Sequence, residues 1–203
     1  MVDVKPTRSE LMKLKKRIVL ARSGYNLLKK KRDGLILEFF EILKNAKKVR
    51  EGLVKQYREA LHIMNIARTM ESDLKIKSIA LAVKERPQVK VETKNIMGVL
   101  VPKIAAGAVK KQLFQRGYSV ASSSSAIDQA AEAYERVVEL VVLAAETETA
   151  MKKLLQEIEK TKRRVNALEF KVIPELDTLR KFISLRLEEM ERENIFRMKR
   201  IKA

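Results

Sequence analysis

Apolar residues in the first third of the chain recur with the spacing of a heptad. Stepping alternately three and four residues from Leu11 to Met70 gives eighteen positions, and sixteen of them are apolar. The exceptions are Arg32 and Gln56. Random placement at 46% apolar content would fill about eight of these positions. The pattern therefore predicts an α-helix that packs lengthwise against a partner helix in a coiled coil.

A start signal precedes this seam. Thr7 and Glu10 have the spacing of a capping box, and Pro6 stands just before them. The first helix is therefore predicted over residues 7–70, and at ~1.5 Å per residue it would be roughly 95 Å long.

A second long helix is predicted over residues 125–198. Ser125 and Asp128 have capping spacing at its start. Apolar positions then follow in steps of three and four up to Ile158, interrupted only by Glu148, and the series resumes at Val165. They are Ile127, Ala130, Tyr134, Val137, Val141, Ala144, Met151, Leu155, Ile158, Val165, Leu168, Val172, Leu176, Leu179, Ile183, Leu187 and Met190. Two consecutive four-residue steps beside Pro174 depart from a strict 3.5-residue period, and the proline predicts a kink.

Neither helix would be stable alone in water, because most of its stability must come from burying its apolar stripe. The simplest fold is mainly α, a long two-stranded antiparallel coiled coil of the N-terminal and C-terminal helices. Facing residue numbers should then add up to roughly 197–205, placing Gly24 opposite Pro174 and Asp33 opposite Arg164. The predicted seam includes Leu11, Leu14, Ile18, Leu28, Leu35, Phe39, Ile42, Val165, Leu168, Val172, Leu179 and Ile183.

The pattern changes between the helices. Ile76 to Val83 suits a short helical segment, whereas the alternation after Pro87 predicts a small β-hairpin at about 88–102. In this interpretation the turn-prone Thr93-Lys94-Asn95 separates two short strands, Pro102 ends the second strand, and 103–124 form a loop. The chain thus divides into an N-terminal helix at 1–70, a middle insert at 71–124 and a C-terminal helix at 125–203.

Charge is concentrated in the N-terminal helix. Residues 1–70 carry 18 Lys and Arg against 7 Asp and Glu, whereas residues 121–203 carry 16 against 15, within a net charge of +18. Such a basic excess suits a phosphate backbone, an acidic lipid surface or an acidic protein surface, and charge alone does not distinguish them.

Catalytic chemistry is not indicated. The sequence contains no cysteine, no phosphate-binding glycine loop and a single histidine, His62. Acidic pairs such as Glu188-Glu189 fit a solvated ion-pair face beside arginines better than an acid–base pair. The expectation is a protein with no catalytic residues, no cofactor and no metal. With no N-terminal apolar segment and no apolar run long enough for a membrane span, it is expected to be soluble and to begin near Met1. The absence of cysteine favours a reducing compartment such as the cytoplasm.

Three separated motifs along the chain point to a known family. They are Pro6-Thr7-Arg8 continuing through Lys31-Arg32-Asp33, Lys94 to Val99 with Val101-Pro102, and Thr161 to Glu169 with Ile173-Pro174. Together they resemble the D subunit of the archaeal and vacuolar-type rotary ATPases. They occur in the family's order and cover nearly the whole chain. The segment at about 105–124 does not match, and the absence of a long C-terminal tail favours an archaeal or bacterial-type complex.

The resemblance implies the central axle of a proton- or sodium-translocating ATPase, a non-catalytic component peripheral to the membrane. Its implied partners are the catalytic ring of A and B subunits, the F subunit, and the membrane-side cap, called the C or d subunit, on the proteolipid ring. Nucleic-acid binding and direct membrane insertion are not expected. The predicted rotor–stator contacts are Arg8, Lys13, Lys15, Lys16, Arg17, Gly24, Lys31, Arg32, Asp33, Arg163, Arg164, Asn166, Glu169, Pro174, Arg197, Lys199 and Arg200.

Two alternatives compete with the axle. A basic helical protein that binds nucleic acid or ribosomes is favoured by charge, although aromatic residues are few, no reading motif is present and the second helix is almost neutral. A coiled coil that tethers or curves membranes is the weaker alternative.

Overall fold

The computed structural model describes residues 6–83, 89–106, 109–112, 116–118 and 123–202. The chain is mainly helical, as predicted, with one small antiparallel hairpin in this described part. Its elements in order are α1 (Arg8–Met70), α2 (Asp73–Ala82), β1 (Val89–Ile96), β2 (Val99–Ala106), α3 (Ser125–Ala167), a π-helical turn (Leu168–Val172) and α4 (Ile173–Lys202).

The start of α1 is the predicted one within a residue. The Glu10 amide donates to Thr7 Oγ1 at 3.2 Å, and the Leu11 amide donates to the Thr7 carbonyl at 3.0 Å. Thr7 is therefore the N-cap residue. The Glu10 carboxylate accepts a hydrogen bond from Lys13 Nζ at 2.8 Å, so the reciprocal half of a capping box is replaced by an ion pair one turn into the helix.

The start of α3 corrects a prediction. Ser125 is already helical, and the amides of Ile127 and Asp128 donate to the carbonyl of Ser124 at 3.0 and 3.4 Å. The residue before the helix is thus Ser124, one position earlier than the expected cap. The Asp128 carboxylate instead accepts a hydrogen bond from the Tyr118 hydroxyl at 2.7 Å.

The chain divides into two compact units. Unit 1 comprises Met1–Ile36 with Glu157–Ala203, and unit 2 comprises Leu37–Gln156. In unit 1 the helices run antiparallel, because Arg8 pairs with Glu191 at 2.6 Å and Arg22 pairs with Asp177 at 3.0 Å. The residue numbers of each pair add up to 199, which lies inside the interval expected from the sequence.

Burial along α1 follows the heptad series. Every buried residue of α1 belongs to the eighteen positions counted from Leu11, namely Leu14, Ile18, Leu35, Ala46, Ala60 and Ala67. Val165 and Ile183 are also buried on the C-terminal helices, and the other predicted seam residues are half-buried, namely Leu11, Leu28, Phe39, Ile42, Leu168, Val172 and Leu179. The buried residues of α1 in unit 1 are therefore branched aliphatic ones, whereas those in unit 2 are the three alanines.

The stripe predicted in the middle of α3 is wrong by one position. Leu154 is fully buried, whereas Leu155 is 45% exposed and Val141 is 47% exposed. The buried face passes through Thr161, which is 2% exposed. The predicted stripe counted only apolar residues, so it omitted the buried Thr161. As a result it followed a neighbouring face of α3.

The helix changes its hydrogen bonding just before Pro174. The Ile173 amide donates to the Leu168 carbonyl, five residues earlier, and Leu168–Val172 form a π-helical turn. A π-turn contains one extra residue, which explains the two consecutive four-residue steps in the sequence. The helical course from Ser125 to Lys202 otherwise continues as expected.

The hairpin is longer than predicted and turns at a different place. Strands β1 and β2 pair with Ile96 opposite Val99, so the turn is Met97-Gly98 and not Thr93-Lys94-Asn95. Met97 and Gly98 have φ of 49° and 86°, as a two-residue type I′ turn requires. The Asn95 side chain accepts a hydrogen bond from the Gly98 amide at 2.8 Å, which explains why an asparagine precedes the turn.

Pro102 does not end β2, which continues to Ala106. Pro102 lies opposite Thr93. Because hydrogen-bonded and non-hydrogen-bonded pairs alternate from the turn outward, this is a non-hydrogen-bonded pair. The ladder therefore loses no donor at Pro102, whose missing N–H would point away from β1.

Part of the predicted loop at 103–124 is held on α3 by a buried arginine. Arg116 is 7% exposed, and its Nε and Nη2 donate to Glu135 at 3.0 and 3.1 Å. Burial alone would lower the pKa of Arg116, but its hydrogen bond to Glu135 raises it. Burial, followed by the hydrogen bond to Asp128, raises the pKa of Tyr118. The adjacent Gly117 has φ +84°, and a Cβ there would lie 2.9 Å from the Ala82 carbonyl oxygen.

Candidate functional site

The predicted contact residues all belong to unit 1, and most are exposed. The exposed ones are Arg8, Lys13, Lys15, Lys16, Arg17, Asp33, Arg163, Arg164, Asn166, Glu169, Pro174, Arg197, Lys199 and Arg200, and the half-buried ones are Gly24, Lys31 and Arg32. Antiparallel pairing brings the start of α1 beside α4. The basic residues near the N-terminus and those near the C-terminus therefore lie at the same end of unit 1.

Several of these side chains already have partners within the chain. Arg8 pairs with Glu191 at 2.6 Å, Arg163 with Glu159 at 3.9 Å and Arg197 with Glu193 at 3.7 Å. All three pairs are exposed, so each contributes about 0–1 kcal/mol. These arginines can exchange their partners at little cost.

Lys13 forms a further pair near the start of α1. Its hydrogen bond and charge lower the pKa of Glu10. Glu10 therefore stays ionised to a lower pH than an isolated glutamate, and the first turn of α1 keeps a negative charge at the positive end of the helix dipole.

Other predicted contacts have no such restraint. Within the described ranges, Lys15, Lys16 and Arg164 form no ion pair with any other residue. Arg200 lies over the ring of Phe196, with its guanidinium carbon 5.0 Å from the ring centroid. These residues present charge that the described part of the chain does not neutralise.

Arg32 interrupts the heptad seam, and its hydrogen bonds show how a charged residue is accommodated at a seam position. Its side chain is 25% exposed, and both Nε and Nη2 donate to Asp33 Oδ1 at 2.9 and 2.7 Å. The aliphatic stem can therefore lie at a seam position while the guanidinium turns outward to the neighbouring carboxylate. Asp33 is thus occupied by its neighbour and forms no ion pair with Arg164, the residue expected to face it.

Gly24 and Pro174 were expected at the same height of the coiled coil. The Arg22–Asp177 ion pair fixes this height two and three residues away from them. A Cβ atom at Gly24 would meet nothing within 4 Å, so Gly24 is not required for close packing within the described part of the chain. This height of unit 1 thus combines a helix-weakening glycine on α1 with the π-helical turn Leu168–Val172 just before Pro174.

Sequence reasoning missed a set of exposed apolar residues on unit 1. Leu20 and Leu27 on α1 are each 70% exposed, and Phe170 in the π-turn is 75% exposed. Their signal was present in the sequence, since they are large apolar residues at positions outside the seam. Exposed apolar side chains that form a contiguous patch are typical of surfaces that contact another protein.

None of the helices in the described part of the chain is long and apolar enough to cross a membrane. Among the described residues, no three His, Cys, Asp or Glu side chains come together to hold a metal ion.

Comparison with known proteins gives one consistent result. Residues 10–203 match the family described as the ATP synthase D subunit. The A-type ATP synthase D subunit of Methanococcoides burtonii is 60% identical over 200 residues, covering 98% of this chain and 97% of the relative. Those of Methanoregula boonei and Methanosarcina acetivorans are each 56% identical over 201 residues, covering 99% of this chain and 96% of each relative. The chain therefore belongs to the family of ATP synthase D subunits.

Proposed function

We propose that this chain is the non-catalytic central rotor component of an A-type ATP synthase, transmitting torque between the catalytic ring and the membrane rotor. The observation that carries the proposal is the family match over residues 10–203, together with relatives more than half identical over almost their full lengths. The prediction of a nucleic-acid-binding protein receives no support from these relatives.

The structure of unit 1 suits such a role. Two antiparallel helices with a branched aliphatic core resist twisting better than one helix, and their surface holds many exposed basic groups. Weak, screened contacts can be exchanged at each step of rotation, whereas one deep, desolvated ion pair would hold the rotor in a single position.

In this proposal unit 1 enters the ring of A and B subunits. The part of the chain in unit 2 joins the F subunit and the membrane-side cap, the C or d subunit, and through it the proteolipid ring. The exposed basic residues of α1 and α4 face acidic or carbonyl-lined surfaces of the ring. The exposed Leu20, Leu27 and Phe170 add apolar contacts to the same interface.

Reconstitution with the purified components of the complex tests the proposal. The chain should copurify in stoichiometric amount with A and B subunits, and the assembled complex should rotate a bead attached to unit 2 during ATP hydrolysis. Shortening both helix ends of unit 1 should uncouple hydrolysis from rotation more strongly than any single charge reversal. Copurification with RNA at physiological salt, without the ATPase components, would contradict the proposal.

A further inference from the structure

The two edges of the hairpin differ. Pairing outward from the Met97-Gly98 turn makes Ile96–Val99 a hydrogen-bonded pair, so the next pair, Asn95–Leu100, is non-hydrogen-bonded. Residues of non-hydrogen-bonded pairs direct their backbone N–H and C=O groups to the outside of the sheet. The outward residues are Leu100, Pro102, Ile104 and Ala106 on β2, and Val89, Val91, Thr93 and Asn95 on β1.

The outer edge of β2 is covered by α3. The Leu100 carbonyl accepts a hydrogen bond from Lys153 Nζ at 3.1 Å, and the Ile104 amide donates to Glu146 Oε2 at 3.1 Å. Between them, Pro102 has no N–H to satisfy. Lys153 and Glu146 are seven residues apart on α3, so both side chains come from the same helix face. This edge cannot accept another strand.

In the part of the chain that the structure describes, the outer edge of β1 has no such cover. Among the residues that the structure describes, none forms a hydrogen bond with the outward backbone groups of Val91, Thr93 or Asn95. The side chains from Val89 to Asn95 are all exposed, and Val91 is 64% exposed. An unpaired row of backbone groups beside exposed valines is a template for an added strand.

Charge along β1 indicates the chemistry of the strand that fits. Lys90, Glu92 and Lys94 share one sheet face, and Val89 and Val91 lie on the other. Opposite charges favour cross-strand pairing, so the complementary strand has acidic residues across from the two lysines and apolar residues beside the valines. A second copy of this chain is a poor occupant, because each copy has a net charge of +18.

We propose that the outer edge of β1, from Val89 to Asn95, is a strand-addition site that takes an extended, acidic segment of another protein of the complex. This inference rests on the proposed function for the source of the partner strand. The added strand would exchange backbone hydrogen bonds with Val91 and Thr93, continue the sheet from two strands to three and cover the exposed valines.

Hydrogen–deuterium exchange, resolved residue by residue on the full chain, tests this site. In the free chain the inward amides of Glu92 and Lys94 should be protected and the outward amides of Val91 and Thr93 should exchange rapidly. In the assembled ATPase complex the outward amides should slow by about tenfold or more, as backbone pairing requires local opening before exchange. Fast exchange at Val91 and Thr93 in an assembled complex would overturn the inference.

Two variants separate strand addition from other contacts. Thr93→Pro removes an outward N–H and should abolish the added protection at Val91, whereas Thr93→Ala changes the side chain alone and should retain it. The inward amides of Glu92 and Lys94 report whether the hairpin itself survives the proline. If they lose protection, the double charge reversal Lys90→Glu with Lys94→Glu provides the test with an unaltered backbone, and it should reduce the added protection at Val91 at least several-fold.

Assembly is read separately by copurification with the A and B subunits. A chain that assembles without protecting Val91 leaves the proposed function intact and overturns the strand-addition site. A chain that does not assemble overturns the proposed function, and with it the source of the strand.

Discussion

Gly24 and Gly52 both lie in the interior of α1, and a Cβ atom at either would meet nothing within 4 Å. Alanine at either position should therefore stabilise the chain by about 0.5–1 kcal/mol, because glycine loses more backbone entropy in a helix. Chemical denaturation of the two variants measures this. The pair is well matched, since only Gly24 lies at the height of the Arg22–Asp177 ion pair, close to the π-helical turn.

The functional expectation differs between these two glycines. If the helix bends at Gly24 during rotation, Gly24→Ala should lower ATP turnover of the assembled complex, whereas Gly52→Ala should leave it unchanged. Equal ATP turnover in both variants, with both chains stabilised, would show that rotation does not require a flexible glycine at position 24.

At the scale of residues, the apolar seam was predictable wherever large aliphatic side chains occupy it. Leu14, Leu35 and Ile183 are buried where the heptad placed them. The prediction was wrong around Leu155, because Thr161 is buried on the true stripe. A threonine hydroxyl can bond to a carbonyl in the preceding turn, as Thr147 does with Leu143 and Ala144, so a hydropathy pattern does not identify such positions as inward.

At the scale of elements, the π-turn at Leu168–Val172 acts as a one-residue insertion. Deleting the exposed Phe170 should convert it to regular α-helix and keep both Val165 and Ile183 in the core. The expected loss of stability is about 1 kcal/mol or less, because no buried side chain is removed.

Deletion of Lys181 provides the control. This exposed residue lies in regular α-helix, so its removal rotates the rest of α4 by about 100° and withdraws Ile183 from the core, costing about 2–5 kcal/mol. Denaturation midpoints of the two deletion variants compare these costs. Similar losses of stability in the two variants would contradict this expectation. They would mean that the π-helical turn is needed for the fold and is not simply a place where one extra residue is tolerated.

The hairpin shows which features of an element the sequence specifies. Alternating residues after Pro87 were sufficient to predict a hairpin, but the turn was placed on Thr93-Lys94-Asn95 instead of Met97-Gly98. A methionine at positive φ is uncommon, so the glycine after it was the better signal. Pro102 was predicted to end the second strand because proline lacks a backbone N–H. Whether that missing N–H faces the partner strand depends on the pairing register, and the register is fixed by the position of the turn.

At the scale of the whole molecule, the fold class and the family followed from the sequence, whereas the individual contacts did not. Heptads and capping residues specify long helices. Charge specifies only a kind of partner, and in-chain pairs such as Arg8–Glu191 depend on the antiparallel register of unit 1. The buried Arg116–Glu135 contact in unit 2 had no sequence signal, since neither residue belongs to a recognisable motif.

Lys15, Lys16 and Arg164, which form no ion pair with any described residue, allow the idea of distributed contacts to be tested. Charge reversal to glutamate at Lys15, Lys16 or Arg164 alone should change ATP turnover of the assembled complex by less than about fivefold, because an exposed ion pair contributes about 0–1 kcal/mol. The triple reversal should reduce turnover much more, and added salt should weaken the wild-type contacts. Lys77→Glu, an exposed reversal on α2 in unit 2, is the control for net charge. A single reversal that stops turnover in a fully assembled complex would instead indicate one dominant ion pair between this chain and the ring.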